Sequence, residues 1–231
     1  MTMQLLLISS SVVHGYGFLD HSEAEIRRFL EGARSVAFVP FAQHDHDAYT
    51  ARVRERLGRM GLEVTQVRGW SDVVSGDAIF IGGGNTFRLL KQLYDAALIE
   101  PIRARVQGGA RYIGSSAGTN VATPTIKTTN DMPIVFPPSF DALSLVSFQI
   151  NPHYLDPDPN STHKGETRED RIREFLEEND TPVLGLREGS MLRGDGDRIE
   201  LLGEKPARLF RRGADPVELP PGPISARLRS A

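Results

Sequence analysis

A chain of 231 residues with 39% hydrophobic side chains can bury a substantial core, and its formal charge of −3, with both signs interspersed, offers no basic stripe for a phosphate backbone. Cysteine is absent, which excludes disulfides, thiolate zinc sites and a cysteine nucleophile, so covalent chemistry falls to serine, threonine or another group. No run approaches the ~18 apolar residues of a membrane span, and Gln4 to Ile8 lacks the basic lead of a signal peptide, so a cytoplasmic protein with neither nucleic-acid nor membrane partners is expected.

Apolar runs of strand length alternate with segments of helical period, the pattern of βαβ units and a mainly parallel sheet in an α/β fold. Leu5 to Ile8 reads as the first strand. A helix follows from Ser22, with Glu25 completing a capping box and Ile26, Phe29 and Leu30 on one face. Val36 to Val39 is the next strand, and a helix from about Asp47 carries Tyr49, Val53, Leu57 and Met60 before Gly61 ends it. Val64 to Val67 and Ala78 to Ile81 continue the sheet. Gly82-Gly83-Gly84-Asn85 then leads into a helix from Thr86 whose buried side is read as Phe87, Leu90, Leu93, Tyr94, Ala97 and Leu98. No linker or repeat divides the chain, so residues 1–231 are expected to form a single domain. Its proline-marked tail is expected to be irregular from about residue 214.

Residues 114 to 118 read Gly-Ser-Ser-Ala-Gly, a G-x-S-x-G pattern between the apolar Tyr112-Ile113 and the small-residue run Thr119 to Ala122. Such a strand–turn–helix elbow strains the serine backbone and lifts its hydroxyl above the sheet edge, which makes Ser116 the candidate nucleophile. Ligands of open α/β sheets bind at the C-terminal ends of the strands, so the Gly84 loop and the Ser116 elbow are expected to be neighbours. The amides of Gly84 and Ala117 would then form an oxyanion hole.

A serine nucleophile needs a base and a group to orient it. Six histidines are available. His14, His21 and His163 fall in polar stretches read as loops. His44 and His46, in His44-Asp45-His46-Asp47, lack a third partner at ligand spacing and read as a solvated loop or helix cap rather than a metal site. His153 follows the apolar run Leu145 to Ile150, read as a strand, through Asn151-Pro152 and so stands at a strand-to-loop junction, where active-site residues gather. Two acids can orient it, Asp131 in a polar loop after the elbow and Glu188 just past the apolar Leu184 to Leu186. Spacing does not choose between them.

Several longer motifs resemble peptidase E, the aspartyl dipeptidase family of serine peptidases (S51). They are Gly82 to Phe87, Gly114 to Asn120, Pro124 to Pro133, Phe148 to His153 and His163 to Arg168, in that order along the chain. The resemblance implies a three-layer αβα fold like that of class I glutamine amidotransferases, flavodoxin-like in its parallel sheet. It also implies hydrolysis of small peptides with N-terminal aspartate, without metal or cofactor. In its terms Ser116 is the nucleophile, His153 the base and Asp131 the acid, with Glu188 as the alternative acid. Arg168 would take the substrate's aspartate carboxylate, since its planar fork suits a carboxylate and rejects a neutral side chain. If Asp131 completes the triad, Glu188 is left for the substrate's α-ammonium. A cyanophycinase-like peptidase and a catalytically silent amidotransferase-like scaffold are the competing readings, and either a monomer or a homodimer is compatible. The chain departs from the family pattern at Ser115, where a bulkier residue is expected, and in the longer acidic segment Leu155 to Ser161.

Overall fold

The structure is a computed structural model that describes residues 2–158, 160, 162 and 165–228. Its strands are β1 (Gln4–Ile8), β2 (Ser35–Val39), β3 (Glu63–Gln66), β4 (Ala78–Ile81), β5 (Arg111–Ser115), β6 (Gln149–Tyr154) and β7 (Val183–Arg187), followed by β8 (Met191–Asp195), β9 (Arg198–Leu202), β10 (Ala207–Phe210), β11 (Val217–Leu219) and β12 (Gly222–Pro223). The larger sheet has the order β12-β9-β8-β1-β5-β4-β2-β3, and a smaller one the order β11-β10-β7-β6. From β1 to β3 the larger sheet is parallel. Beyond β1 it continues antiparallel through β8 and β9.

Helices α1 (Glu23–Phe29), α2 (His46–Gly58), α3 (Trp70–Ser75), α4 (Thr86–Asp95), α5 (Ile99–Gln107), α6 (Ala117–Asn120), α7 (Arg168–Glu178) and α8 (Ser225–Leu228) complete the fold. All four residues of β4 are buried, as a strand covered on both faces requires. Alternate side chains therefore enter two cores. Phe38, Phe80 and Ile113 pack with Ile26, Val53 and Leu57 of α1 and α2. Val39, Ile79 and Ile81 pack with Leu89, Leu93, Ile102 and Val106 of α4 and α5. Helices thus cover both faces of the sheet, the three-layer αβα arrangement expected from sequence.

Four local expectations are corrected. Ser22 does not cap α1, because its hydroxyl donates back to the Leu19 carbonyl and Glu25 pairs instead with Arg28. In the Leu145 to Ile150 run, only Gln149 and Ile150 join a strand. Leu145, Val146 and Phe148 are buried as a loop, with the Leu145 and Val146 amides bonded to the Ala122 carbonyl. Ala97 is not on the buried side of α4. It lies past the end of the helix, with φ of 52°, and is exposed. The tail is not irregular over residues 217 to 228, where β11 pairs with β10, β12 pairs with β9, and Leu219, Ile224 and Leu228 are buried.

Candidate active site

The C-terminal edge of the parallel strands gathers the candidate residues. Strand β5 ends at Ser115, and Ser116 turns the chain into α6 with φ of 53° and ψ of −110°. That backbone costs about 1–3 kcal/mol and persists because its surroundings fix it. The Ser116 amide donates to the Ile8 carbonyl at 3.0 Å, and the Ser116 carbonyl accepts from Thr119 and Asn120. The flanking glycines are steric necessities. A Cβ at Gly118 would lie 2.0 Å from the Ile81 carbonyl oxygen, and one at Gly114 would lie 2.5 Å from the Gly118 oxygen.

The glycine loop after β4 lies against this elbow, since a Cβ on Gly83 would come within 2.9 Å of the Ser116 Cβ. The Gly83 amide is taken, donating at 2.8 Å to the hydroxyl of Tyr49, whose pKa burial pushes up to about 12. Gly84, at φ of +142°, donates to no described residue. Ala117 opens α6, so its amide has no acceptor within the helix. Two amides on neighbouring loops are therefore open for an anion.

His153 sits in β6 at φ of 54°, where the register with β7 shifts between Pro152 and Tyr154. Such a bulge re-aims a side chain. The hydroxyl of Ser9 holds it, accepting from the His153 amide at 3.0 Å while donating to the Leu186 carbonyl at 2.8 Å. The imidazole bridges two groups: its Nε2 is 2.8 Å from the Ser116 hydroxyl, and its Nδ1 is 2.7 Å from the Glu188 carboxylate. The neutral tautomer that suits both accepts at Nε2 from the serine and donates at Nδ1 to the carboxylate.

Asp131 does not touch the imidazole, contrary to the expectation that put it first. Its Oδ2 accepts from the Thr86 amide at 2.7 Å and the Thr86 hydroxyl at 2.6 Å, at the start of α4. The helix N-terminus draws the carboxylate there, and Glu188, the alternative acid, occupies the place beside His153. Glu188 uses its Oε1 for this contact.

Arg168 begins α7, with Thr167 and Asp170 forming a reciprocal cap. Its side chain is half-buried and makes no ion pair among the described residues, since Glu169 bonds Arg173 and Arg208 instead. Burial lowers its pKa below the ordinary value, nearby Arg171 adds to this, and Asp131 opposes it. Ser116, Asp131, His153, Arg168 and Glu188 all line one cleft of about 580 Å3. Two other hollows, of about 620 and 760 Å3, are lined by none of these five residues.

Of the other histidines, His21 is half-buried, which lowers its pKa, and lies close enough to Glu188 to sense its charge. His14 and His44 are exposed, His46 packs on Phe41, and His163 lies outside the described residues. Among the described residues, no three His, Cys, Asp or Glu side chains are grouped to hold a metal ion. No helix among them is long and apolar enough to cross a membrane. Sequence reasoning passed over Ser9, Tyr49 and Thr86. The signal for Ser9 was its position, a hydroxyl directly after the central strand β1 at the edge where ligands bind.

A serine, imidazole and carboxylate in one hydrogen-bonded line, with the serine on a strained elbow, have the geometry of the serine hydrolases. Residues 5–202 match the family described as peptidase family S51, and the chain belongs to it. It is 59% identical over 224 residues to "Peptidase E" of Streptomyces coelicolor, covering 95% of this chain and 92% of that one. It is 50% identical over 224 residues to a Drosophila melanogaster protein named "Probable alpha-aspartyl dipeptidase", covering 94% and 93%. The solved structure of a peptidase from an acI-B1 actinobacterium shares the fold, with a TM-score of 0.66 at 18% identity and 95% of each chain covered.

Proposed function

We propose that the protein is a serine dipeptidase that hydrolyses dipeptides with N-terminal aspartate through an acyl-enzyme on Ser116. The observation that carries this reading is the unbroken line from Ser116 through His153 to Glu188, with contacts of 2.8 and 2.7 Å. The names of the relatives, peptidase E and alpha-aspartyl dipeptidase, supply the substrate class.

Ser116 Oγ attacks the scissile carbonyl while its proton passes to His153 Nε2, and Glu188 stabilises the resulting imidazolium through Nδ1–H. The Gly84 and Ala117 amides receive the oxyanion. As the tetrahedral adduct collapses, the C–N bond breaks and His153 returns the proton to the leaving amine, leaving an aspartyl ester on Ser116. Water then attacks the ester with His153 again as base, and aspartate departs with the serine restored. Arg168 takes the substrate's β-carboxylate. A half-buried guanidinium without an ion-pair partner among the described residues favours an anionic group and penalises a neutral one.

The test is release of aspartate from Asp-Leu by the wild-type protein and Ser116→Ala, with Asn-Leu as the neutral control. Hydrolysis of Asp-Leu that the substitution abolishes supports the reading. A folded wild-type protein that releases nothing overturns it.

A further inference from the structure

We infer that Asp131 is the receptor for the substrate's α-ammonium group, and that it joins this recognition to the oxyanion loop through its second carboxylate oxygen. The inference rests on the dipeptidase reading and deepens it. A dipeptide carries a cationic amine one carbon from the scissile carbonyl, so the cleft needs an anion close to Ser116.

Among the described residues, three carboxylates line the cleft, those of Asp131, Asp156 and Glu188. Asp156 is occupied by Arg187, at 2.6 and 2.8 Å. Glu188 bonds His153 through Oε1, and its charge serves the imidazolium rather than the substrate. Asp131 spends only Oδ2, on the Thr86 amide and hydroxyl, and its Oδ1 accepts from no described residue. It makes no ion pair with Arg168, yet it acts on that guanidinium electrostatically. An anion and a cation that sense each other without closing on each other match the α-ammonium and β-carboxylate of an aspartyl residue, which stand on adjacent carbons.

The Oδ2 contacts give Asp131 a second consequence. The Thr129 hydroxyl donates to that of Thr86 at 3.0 Å, and the Asn85 side chain donates to the Met132 carbonyl at 2.9 Å. The segment carrying Asp131 is thus bonded on both sides to the turn that carries Gly84. An amine drawn to Oδ1 docks beside the loop that must receive the oxyanion, which would couple recognition of the free amine to turnover.

The test compares Asp-Leu with N-succinyl-leucine, which is the same molecule without the α-amino group. Leucine release is followed for the wild type, Asp131→Asn and Thr86→Val, with melting curves as controls for folding. The wild type is expected to favour Asp-Leu, and Asp131→Asn is expected to shrink that preference at least ~10-fold, the scale of one charge-assisted hydrogen bond. Thr86→Val, which loosens the loop but keeps the charge, is expected to slow both substrates with the preference retained.

A preference unchanged in Asp131→Asn overturns the inference and leaves Asp131 as a loop anchor alone. A wild type that cleaves neither substrate overturns the dipeptidase reading itself. Should Asp131→Asn fail to fold, the wild type still decides. Its kcat/KM ratio for Asp-Leu over succinyl-leucine should fall above about pH 8 as the α-amine deprotonates. A ratio that stays flat to pH 9.5 overturns the inference.

Discussion

Replacing Glu188 separates an acid that orients the base from one that merely neighbours it. His153 and Glu188 side chains are 38% and 46% exposed, so their attraction is neither that of bulk water nor that of a dry interior. With charge centres about 4 Å apart, an imidazolium and a carboxylate attract by ~1 kcal/mol in water and ~4 kcal/mol at an effective dielectric of ~20. A value between these, about 2–3 kcal/mol, corresponds to a roughly 30- to 160-fold loss of kcat in Glu188→Ala. Glu188→Gln should lose at least as much, because the amide can donate to Nδ1 and so place the imidazole proton on Nε2, where it blocks uptake from Ser116. KM should change little, since the charge matters after the imidazole is protonated. The half-exposed pair contributes at most ~1 kcal/mol to folding, so the urea midpoint should barely move. Steady-state kinetics on Asp-Leu with a parallel urea titration make the comparison. A kcat within threefold of wild type in both variants would refute the role given to Glu188.

Arg168→Ala should lower kcat/KM for Asp-Leu by roughly 10- to 150-fold, the loss of charge-assisted hydrogen bonds to the β-carboxylate, while Asn-Leu falls far less. An unchanged Asp-Leu to Asn-Leu ratio would remove Arg168 from recognition. Gly118→Ala should destabilise the fold by ~3 kcal/mol and abolish turnover, because its Cβ would meet the Ile81 carbonyl, a backbone atom that cannot swing away. Denaturant melts and activity assays check both effects together. Asp77 accepts from the Arg34 and Ser35 amides and the Ser35 hydroxyl, and these bonds, the Arg34 amide first, hold its pKa below the ordinary 3.8. Its contribution to stability is complete above that ordinary value and vanishes as pH falls through the lower folded value. Asp77→Asn should therefore flatten the acid end of the stability curve, and a variant whose melting temperature keeps the wild-type dependence from pH 5 to 2 would count against this.

The parallel half of the fold was legible because its signals are local. β4 is read over its observed span, Ala78–Ile81, since an all-apolar run between turn residues has few alternatives. The Leu145 to Ile150 run misled because burial alone does not make a strand. Its first residues bury their side chains in a loop fastened to the Ala122 carbonyl. Ser116 was legible from its G-x-S-x-G pattern, and Arg168 only through the family resemblance. The choice between Asp131 and Glu188 was not, because it is made by a strand bulge at His153 and by the start of α4, features set by tertiary pairing rather than by spacing.

The end of β1 binds every part of the line. The Ile8 carbonyl holds the Ser116 amide, and the Ser9 hydroxyl holds the His153 amide and the Leu186 carbonyl. The Ser9 amide bonds Ser190, just past Glu188. Those partners lie 108 to 181 positions further along the chain. The nucleophile, base and acid can thus be brought into register only after about four-fifths of the polypeptide has been synthesised. A nascent or proteolytically shortened N-terminal piece would carry the reactive serine without its base, and hydrolytic competence arrives as a late, all-or-none event of folding.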